Sequence, residues 1–133
     1  MRKIEETILE VFFSGDKKAP VYVLSKRDMV KKYVDGGASY YLWNTELVRR
    51  DSKGNIYLFP SSSTSEDYQF YRYGRNNNPP ISNTTRSRLN AFTNGGFAQK
   101  DWKLYFQNRE LETDVWYQFD RQNKKLIPIY HKW

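Results

Sequence analysis

The chain opens with an amphipathic pattern that predicts an α-helix over residues 3–13. Its apolar positions recur at intervals of three or four residues, at Ile4, Ile8, Val11 and Phe12. One face of a helix has this spacing, and the polar side chains between these positions would face solvent. Ser14 and Gly15 interrupt the pattern, so we expect the helix to end at residue 13.

A short strand and a second helix are predicted next. Val21–Leu24 is a continuous run of apolar and aromatic side chains, which is typical of a buried strand. Ser25 is a residue type favoured at helix N-caps, and the glycine pair at residues 36–37 would end a helix. We therefore expect a helix over residues 26–35. The side chains expected on its inner side are Val30, Tyr33 and Val34.

The rest of the chain has the patterns of β-strands and of one further helix. Strands are predicted at residues 40–50, 56–59, 68–73, 102–106, 111–119 and 126–130. The helix is predicted at residues 85–93, with Leu89 and Phe92 directed toward the core. Pro128 lacks an amide hydrogen, so the last strand should lie at a sheet edge. Residues 74–83 have little to bury and should form a surface loop.

These elements predict one α+β domain that spans residues 1–133. We expect a twisted, mainly antiparallel β-sheet with two or three short helices packed on one side. A weak internal αββ repeat is also visible, in which residues 25–59 match residues 84–119. Either two diverged copies or chance explains this match, because a capped helix followed by glycines is a common pattern.

Composition narrows the chemistry that the chain can perform. Its 133 residues include no cysteine and a single histidine, His131. These counts exclude disulfides, thiolate metal sites and multi-histidine metal sites, so we expect no metal and no cofactor. The apolar runs are far shorter than a bilayer span, and acidic residues within the first helix argue against a signal peptide. The expected location is the cytoplasm of a bacterium or of a cell that hosts a phage, without a membrane partner.

Positive charge is concentrated in one block of the sequence. The whole chain has 22 Lys and Arg against 15 Asp and Glu, which is a formal charge of +7. Residues 72–109 hold seven basic residues and one acidic residue, Asp101, so this block has a net charge of +6. A block of one sign attracts polyanions such as nucleic acids, or an acidic patch on another protein.

The basic block and helix 85–93 together predict a nucleic-acid interface. Arg86 and Asn90 are four residues apart and share a helix face, and their side chain types bind guanine and adenine edges. Other basic side chains would contact phosphates, while Tyr71 and Tyr73 would stack on unpaired bases. The predicted contact residues are Arg72, Arg75, Arg86, Arg88, Asn90, Lys100, Lys103, Tyr71 and Tyr73, together with Arg27 and Lys31.

Two other functions are considered beside nucleic-acid binding. Asp101 and Lys103 form the Asp-x-Lys half of a metal-dependent nuclease site, which needs a second acid. The nearest upstream acid is Asp67, 34 residues away, so we expect a protein without enzymatic activity. The alternative is an inhibitor, for example a phage counter-defence protein, that blocks a host enzyme through the same basic, Tyr-rich surface. Aromatic anchors such as Trp116 would then carry the binding, because Tyr, Trp and Arg also dominate protein interfaces.

Two segments have local resemblances to known nucleic-acid-binding modules. Thr84–Phe106, a short Arg/Asn helix followed by a glycine pair and an aromatic strand, resembles the small DNA-binding repeats of phage homing endonucleases. Val21–Leu24 resembles the first strand motif of RNA-recognition domains, and a βαββαβ order fits residues 21–107. The first resemblance covers under a fifth of the chain. Both imply nucleic-acid binding, and no nuclease motif accompanies the first.

Overall fold

The structure is a computed structural model, which describes residues 1–15, 19–62 and 80–130. Within these residues the chain forms two helices and ten strands, and all paired strands are antiparallel. The fold is therefore α+β and mainly antiparallel, as the sequence predicts. The helices are α1 (Lys3–Phe13) and α2 (Asn83–Thr93). The strands are β1 (Val21–Val23), β2 (Asp28–Lys32), β3 (Ala38–Leu42), β4 (Thr45–Arg50), β5 (Ile56–Leu58), β6 (Phe97–Lys100), β7 (Lys103–Phe106), β8 (Arg109–Leu111), β9 (Trp116–Asp120) and β10 (Lys125–Ile129).

The strands form a large sheet and a small one. The large sheet has the order β1-β2-β3-β4-β5-β9-β10, and the small sheet has the order β6-β7-β8. Tight turns join neighbouring strands; Trp43 and Asn44, both with positive φ, connect β3 to β4. β10 lies at an edge of the large sheet, as Pro128 predicted, because proline cannot donate to a further strand.

Both helices contribute to one hydrophobic core. α1 packs against β2, β3 and α2, while α2 packs against α1 and β6. Ile8 and Phe12 of α1 are buried with Leu89 and Phe92 of α2 and with inward side chains of the sheet. The rings of Phe12 and Phe92 meet edge to face, with their centroids 4.9 Å apart. Burial of each such side chain contributes about 1.5–3 kcal/mol. The first and last predicted helices, with their inward residues, are thus confirmed.

Residues 26–35 do not form the helix that the sequence predicted. Ser25 Oγ accepts hydrogen bonds from the amides of Arg27 and Asp28 at 3.1 Å each, which is the pattern of an N-cap. The chain then turns into β2, whose alternate side chains are buried. Val34 is 95% exposed, so it takes no part in an inner helix face. The buried side chains of β2 are Asp28, Val30 and Lys32.

Lys32 is buried because it caps the C-terminal end of α1. Its Nζ donates to Val11 O at 2.9 Å and to Ser14 O. Arg50 on β4 adds a hydrogen bond from Nη2 to Phe12 O at 3.1 Å. The last turn of α1 has no basic residue of its own, so the sheet supplies the cations that stabilise the negative end of the helix.

β1 is an exposed edge strand and not the buried strand that its apolar run predicted. Among the described strands it pairs with β2 alone, and Val21 and Val23 are 43% and 75% exposed. Since residues 25–35 contain a turn and a strand, the first segment of the predicted internal repeat, 25–59, has no helix to match α2.

The strand β6, which the sequence did not predict, follows a close approach of the backbone to an aromatic ring. Gly96 has a φ of +117°, and a Cβ atom there would lie 2.5 Å from a ring carbon of Phe106. Only glycine fits this position without displacing the ring. The chain can therefore leave α2 and pair directly with β7.

The long strand predicted at residues 111–119 is interrupted. β8 ends at Leu111, and β9 begins at Trp116. Asp114 lies between them with a φ of +60°. Its carboxylate accepts hydrogen bonds from the amide and the hydroxyl of Ser62, at 3.0 and 2.6 Å. These bonds stabilise a turn that separates the two sheets.

The predicted surface loop at residues 74–83 is only partly within the described residues. Ile81 is fully buried, and Ser82 is the N-cap of α2. This end of the segment is therefore packed, contrary to the prediction. Residues 74–79 and the predicted strand 68–73 lie outside the part of the chain that the structure describes.

Candidate nucleic-acid interface

α2 carries two of the arginines that the sequence assigned to the interface, Arg86 and Arg88, and it directs them to different surroundings. The helix begins at Ser82, whose Oγ accepts the Thr85 amide at 3.0 Å, and ends at Asn94 in the left-handed conformation. Residues two positions apart on a helix do not face the same way. Arg86 is accordingly half-buried at the surface, whereas Arg88 is only 2% exposed.

Arg88 lies at the centre of a buried ion cluster. Its Nε and Nη2 donate to the two carboxylate oxygens of Asp28 at 2.9 and 3.2 Å, and its Nη1 donates to Glu5 Oε2 at 2.9 Å. Tyr40 and Ser25 also donate hydroxyl hydrogen bonds to Asp28. The predicted phosphate contact of Arg88 is therefore wrong, because two carboxylates already hold its guanidinium inside the protein.

Asp28 and Arg88 stay charged although they are buried. Burial alone would raise the pKa of Asp28, but hydrogen bonds from Arg88, Ser25 and Tyr40 outweigh it and lower the pKa below its usual range. Burial alone would lower the pKa of Arg88, but Asp28 and the other partners raise it. Burial and the Asp28 carboxylate together raise the pKa of Tyr40. The cluster therefore connects α1, β2 and α2 by ionic hydrogen bonds.

Asn90 is also engaged within the fold. Its Oδ1 accepts the Phe97 amide at 2.7 Å, and its Nδ2 donates to Phe97 O at 3.2 Å. These two bonds use the same pair of atoms that would bind an adenine edge. Asn90 is therefore a residue that positions the start of β6, and its predicted base contact would require these bonds to break.

A concave surface lies between the N-terminal end of α1 and the outer face of α2. It has a volume of about 580 Å³. We call it the α2 groove. Its lining includes Arg2, Glu5, Asn83, Arg86, Ser87, Asn90 and Asn94. Two guanidinium groups and several amide or hydroxyl groups thus share one surface, of which the sequence predicted Arg86 and Asn90.

Glu5 is the one carboxylate in the described lining of the α2 groove, and both of its oxygens accept hydrogen bonds within the fold. Its Oε2 accepts Arg88 and the Ser87 hydroxyl, while its Oε1 accepts the Arg2 amide at 3.1 Å. Among the described residues, the Arg86 guanidinium has neither an ion pair nor a hydrogen bond. The groove therefore presents the guanidinium group of Arg86 without a direct partner among the described residues.

The other predicted contact residues are dispersed. Lys100 and Lys103 flank the β6–β7 turn next to Trp102, which is 62% exposed, and Lys103 Nζ lies 3.8 Å from Glu110 Oε1. Arg27 lies in the turn before β2, and Lys31 Nζ lies 4.9 Å from the ring centroid of Tyr41. The predicted contacts that lie outside the described residues are Arg72, Arg75, Tyr71 and Tyr73. Of the predicted contact residues within the described part of the chain, Arg86 and Asn90 line the α2 groove and the others do not.

Arg2 is the groove residue that the sequence reasoning missed. It lies at the N-cap of α1, 84 residues before Arg86 in the chain, and only the packing of the two helices brings them to one surface. Its position at the start of an amphipathic helix gives no signal of a binding role. Long-range helix contact, which the pattern of single segments does not encode, was the missing information.

Asp101 and Lys103 do not extend into a larger catalytic arrangement within the described residues. They belong to the β6–β7 hairpin, where Asp101 has a φ of +54°. Residues 1–15, 19–62 and 80–130 contain no group of three or more acidic, histidine or cysteine side chains that could hold a metal ion. Neither α1 nor α2 is long and apolar enough to span a membrane.

Comparisons of the chain with protein-family models, with curated proteins and with solved structures returned no match. The functional proposal therefore rests on the chemistry of the α2 groove itself.

Proposed function

We propose that this protein binds nucleic acid through the α2 groove and that it has no enzymatic activity of its own. The observation that carries the proposal is that two guanidinium groups, of Arg2 and Arg86, share a groove whose one described carboxylate, Glu5, is bonded to Arg88. Phosphate groups, like carboxylates, accept two parallel hydrogen bonds from a guanidinium group.

The remaining lining of the groove suits a polymer with phosphates and polar base edges. Asn83 and Asn94 carry amide groups that donate and accept hydrogen bonds, and both lie beside the arginines. The lining is mostly polar, whereas pockets for small organic ligands are mostly apolar. The formal charge of +7 would attract a polyanion from a distance and would increase the rate of association.

Binding should be measured by fluorescence anisotropy with labelled single-stranded DNA, duplex DNA and single-stranded RNA. We expect the affinity to fall steeply between about 50 and 200 mM salt. Arg2→Ala and Arg86→Ala should each lower the slope of log K against log salt by about one unit. Lys53→Ala removes one charge from an exposed turn between β4 and β5 and is the matched control.

The proposal is overturned if Arg2→Ala and Arg86→Ala bind all three nucleic acids with the wild-type affinity and salt slope. A reduction that is equal in Lys53→Ala would also contradict it, because the effect would then come from net charge and not from the groove. The cytoplasmic location predicted from the sequence is part of the proposal and would be checked by fractionation of expressing cells.

The second candidate function is that of a protein-binding inhibitor. The observation in its favour is the strand β1, where Val21 and Val23 are exposed and no other described strand pairs with the outer edge. A partner can add a strand at such an edge, and its side chains would then cover the valines. In that case Val23→Lys should abolish binding to the protein partner, while Arg86→Ala should leave it unchanged.

A further inference from the structure

We infer that a second basic cleft, between β8 and the β9–β10 hairpin, extends the α2 groove into one continuous track for the phosphates of a nucleic acid. This inference rests on the proposed function and adds a binding site that lies outside α2. The cleft has a volume of about 260 Å³, and we call it the hairpin cleft. Its polar lining consists of Gln107, Arg109, Asn123, Lys124 and Lys125.

The alternation of β8 separates positive from negative charge. Arg109 and Leu111 line the hairpin cleft. Glu110, between them, has its side chain on the opposite side of the strand and lies 3.8 Å from Lys103. The described lining therefore holds three cations and no carboxylate. This arrangement is unexpected for a merely solvated surface, where both signs are usually interspersed.

The hairpin that provides two of these cations is well fixed. Asp120 accepts the amide and the side chain of Asn123 at 3.2 and 2.9 Å, and these bonds fix the turn of the hairpin. Arg121 donates to Gly54 O at 3.2 Å and connects the hairpin to the β4–β5 turn. Lys124 has a positive φ of 48° at the turn. The cations are therefore held on a defined turn, and a ligand need not order them.

The hairpin cleft and the α2 groove meet at one hydrogen bond. Lys124 lines the hairpin cleft, and its Nζ donates to the carbonyl of Asn94 at 3.0 Å. Asn94 belongs to the lining of the α2 groove. An ammonium group has three donors, so Lys124 keeps two for a phosphate at this junction. Within the described residues, Arg109 and Lys125 have no ion pair or side-chain hydrogen bond that would compete.

Two adjoining basic concavities favour a polymer over a single phosphate compound. A monomeric ligand would fill one of them, whereas a chain of regularly spaced phosphates binds in both at once. Binding in one concavity raises the effective concentration of the next phosphate at the other. The hairpin cleft also has an apolar floor of Phe106, Leu111 and Leu126, on which a sugar or a base can pack.

The test compares charge-removing variants in the two concavities under identical conditions. Arg109→Gln and Lys125→Ala in the hairpin cleft are compared with Arg86→Ala in the groove and with Lys53→Ala as the control. The probes are labelled oligonucleotides of about 4 and about 16 nucleotides. We expect Arg109→Gln and Lys125→Ala each to lower the salt slope by about one unit with the long probe. The effect should be smaller with the short probe, which cannot reach both concavities.

The outcomes separate the two proposals. If Arg86→Ala weakens binding while the hairpin variants behave as Lys53→Ala, the track is wrong and the groove proposal stands. If none of the variants changes the affinity, both are wrong. Poly-glutamate is the second probe: equal loss of poly-glutamate and oligonucleotide binding in the hairpin variants would overturn the nucleic-acid assignment of the cleft in favour of an acidic protein partner. Melting curves that match the wild type exclude unfolding as the cause.

Discussion

The two faces of α2 hold the same type of side chain in two different roles. Arg86 lies in an open groove without a partner among the described residues, while Arg88 is buried between Asp28 and Glu5. The two residues are equivalent in a count of charge along the sequence. What distinguishes them is the position of α1 and β2, whose carboxylates bond to Arg88 and not to Arg86.

This contrast changes how the net charge of the protein is understood. Arg88, Asp28 and Glu5 together have a formal charge of −1. Because the whole chain has a formal charge of +7, the other residues together carry +8. The buried cluster therefore removes acidic rather than basic character from the surface. A basic block in the sequence can contain an internal arginine and still leave a strongly positive exterior.

The most severe disruption of this contrast should come from Arg88→Ala. Removal of the guanidinium leaves Asp28 and Glu5 buried without a counter-ion. We expect the free energy of unfolding to fall by about 3–5 kcal/mol, as measured by urea denaturation. A triple variant, Arg88→Met with Asp28→Asn and Glu5→Gln, removes all three charges and should recover much of this loss. A loss below about 1 kcal/mol in Arg88→Ala would show that the cluster is not needed for folding.

Asn90→Ala tests whether a residue of the open groove can also be needed for stability. Asn90 lines the α2 groove, but its side chain bonds to the backbone of Phe97. Truncation would leave the amide and the carbonyl of Phe97 without their partners. We expect the free energy of unfolding to fall by about 1–3 kcal/mol in chemical denaturation. The neighbouring Ala91→Ser changes a residue of the same groove without removing a bond and serves as the control. Unchanged stability in Asn90→Ala would mean that these bonds to Phe97 do not hold β6 in place.

The parts of the fold that were predictable from sequence are those whose signals are local. α1 and α2 were found from the spacing of residues such as Phe12 and Leu89, and the edge position of β10 from Pro128. Residues 26–35 failed because Ser25 makes the same bonds in this turn as at a helix start. In β2 the charged side chains of Asp28 and Lys32 are buried. Their partners lie far away in the sequence, in α2 for Asp28 and in α1 for Lys32.

The candidate site was predictable only in part, for the same reason. Arg86 was recognised because the helix and its outer face are local features. The role of Arg88 depends on Asp28, 60 residues earlier, and the groove depends on Arg2 from the other helix. Charge and periodicity indicate which residue types can bind a phosphate. They do not indicate which of them have a partner within the fold.

The free energy of unfolding should depend on pH through Asp28, which belongs to the buried ion cluster around Arg88. The pKa of Asp28 is lower in the folded protein than its ordinary value of 3.8, so the unfolded chain binds this proton more tightly. The stabilisation from Asp28 is therefore complete at pH values well above 3.8 and is lost as the pH falls below it. The slope from this one group is at most about 1.4 kcal/mol per pH unit. Denaturation series from neutral to acidic pH should show a shallower loss in Asp28→Asn.

The smallest effect on stability is expected on the open face, with Arg86→Ala. Its guanidinium has no partner among the described residues, so its removal leaves no buried group unsatisfied. Alanine is also the residue most favourable to a helix, which offsets the lost packing of the arginine stem. We expect the free energy of unfolding to change by no more than about 0.5 kcal/mol, measured by urea denaturation beside Arg88→Ala. A loss similar to that of Arg88→Ala would mean that the two faces of α2 do not differ as the structure describes. A stable Arg86→Ala protein that has lost salt-dependent affinity for nucleic acid would instead assign the open face of α2 to binding and its buried face to folding.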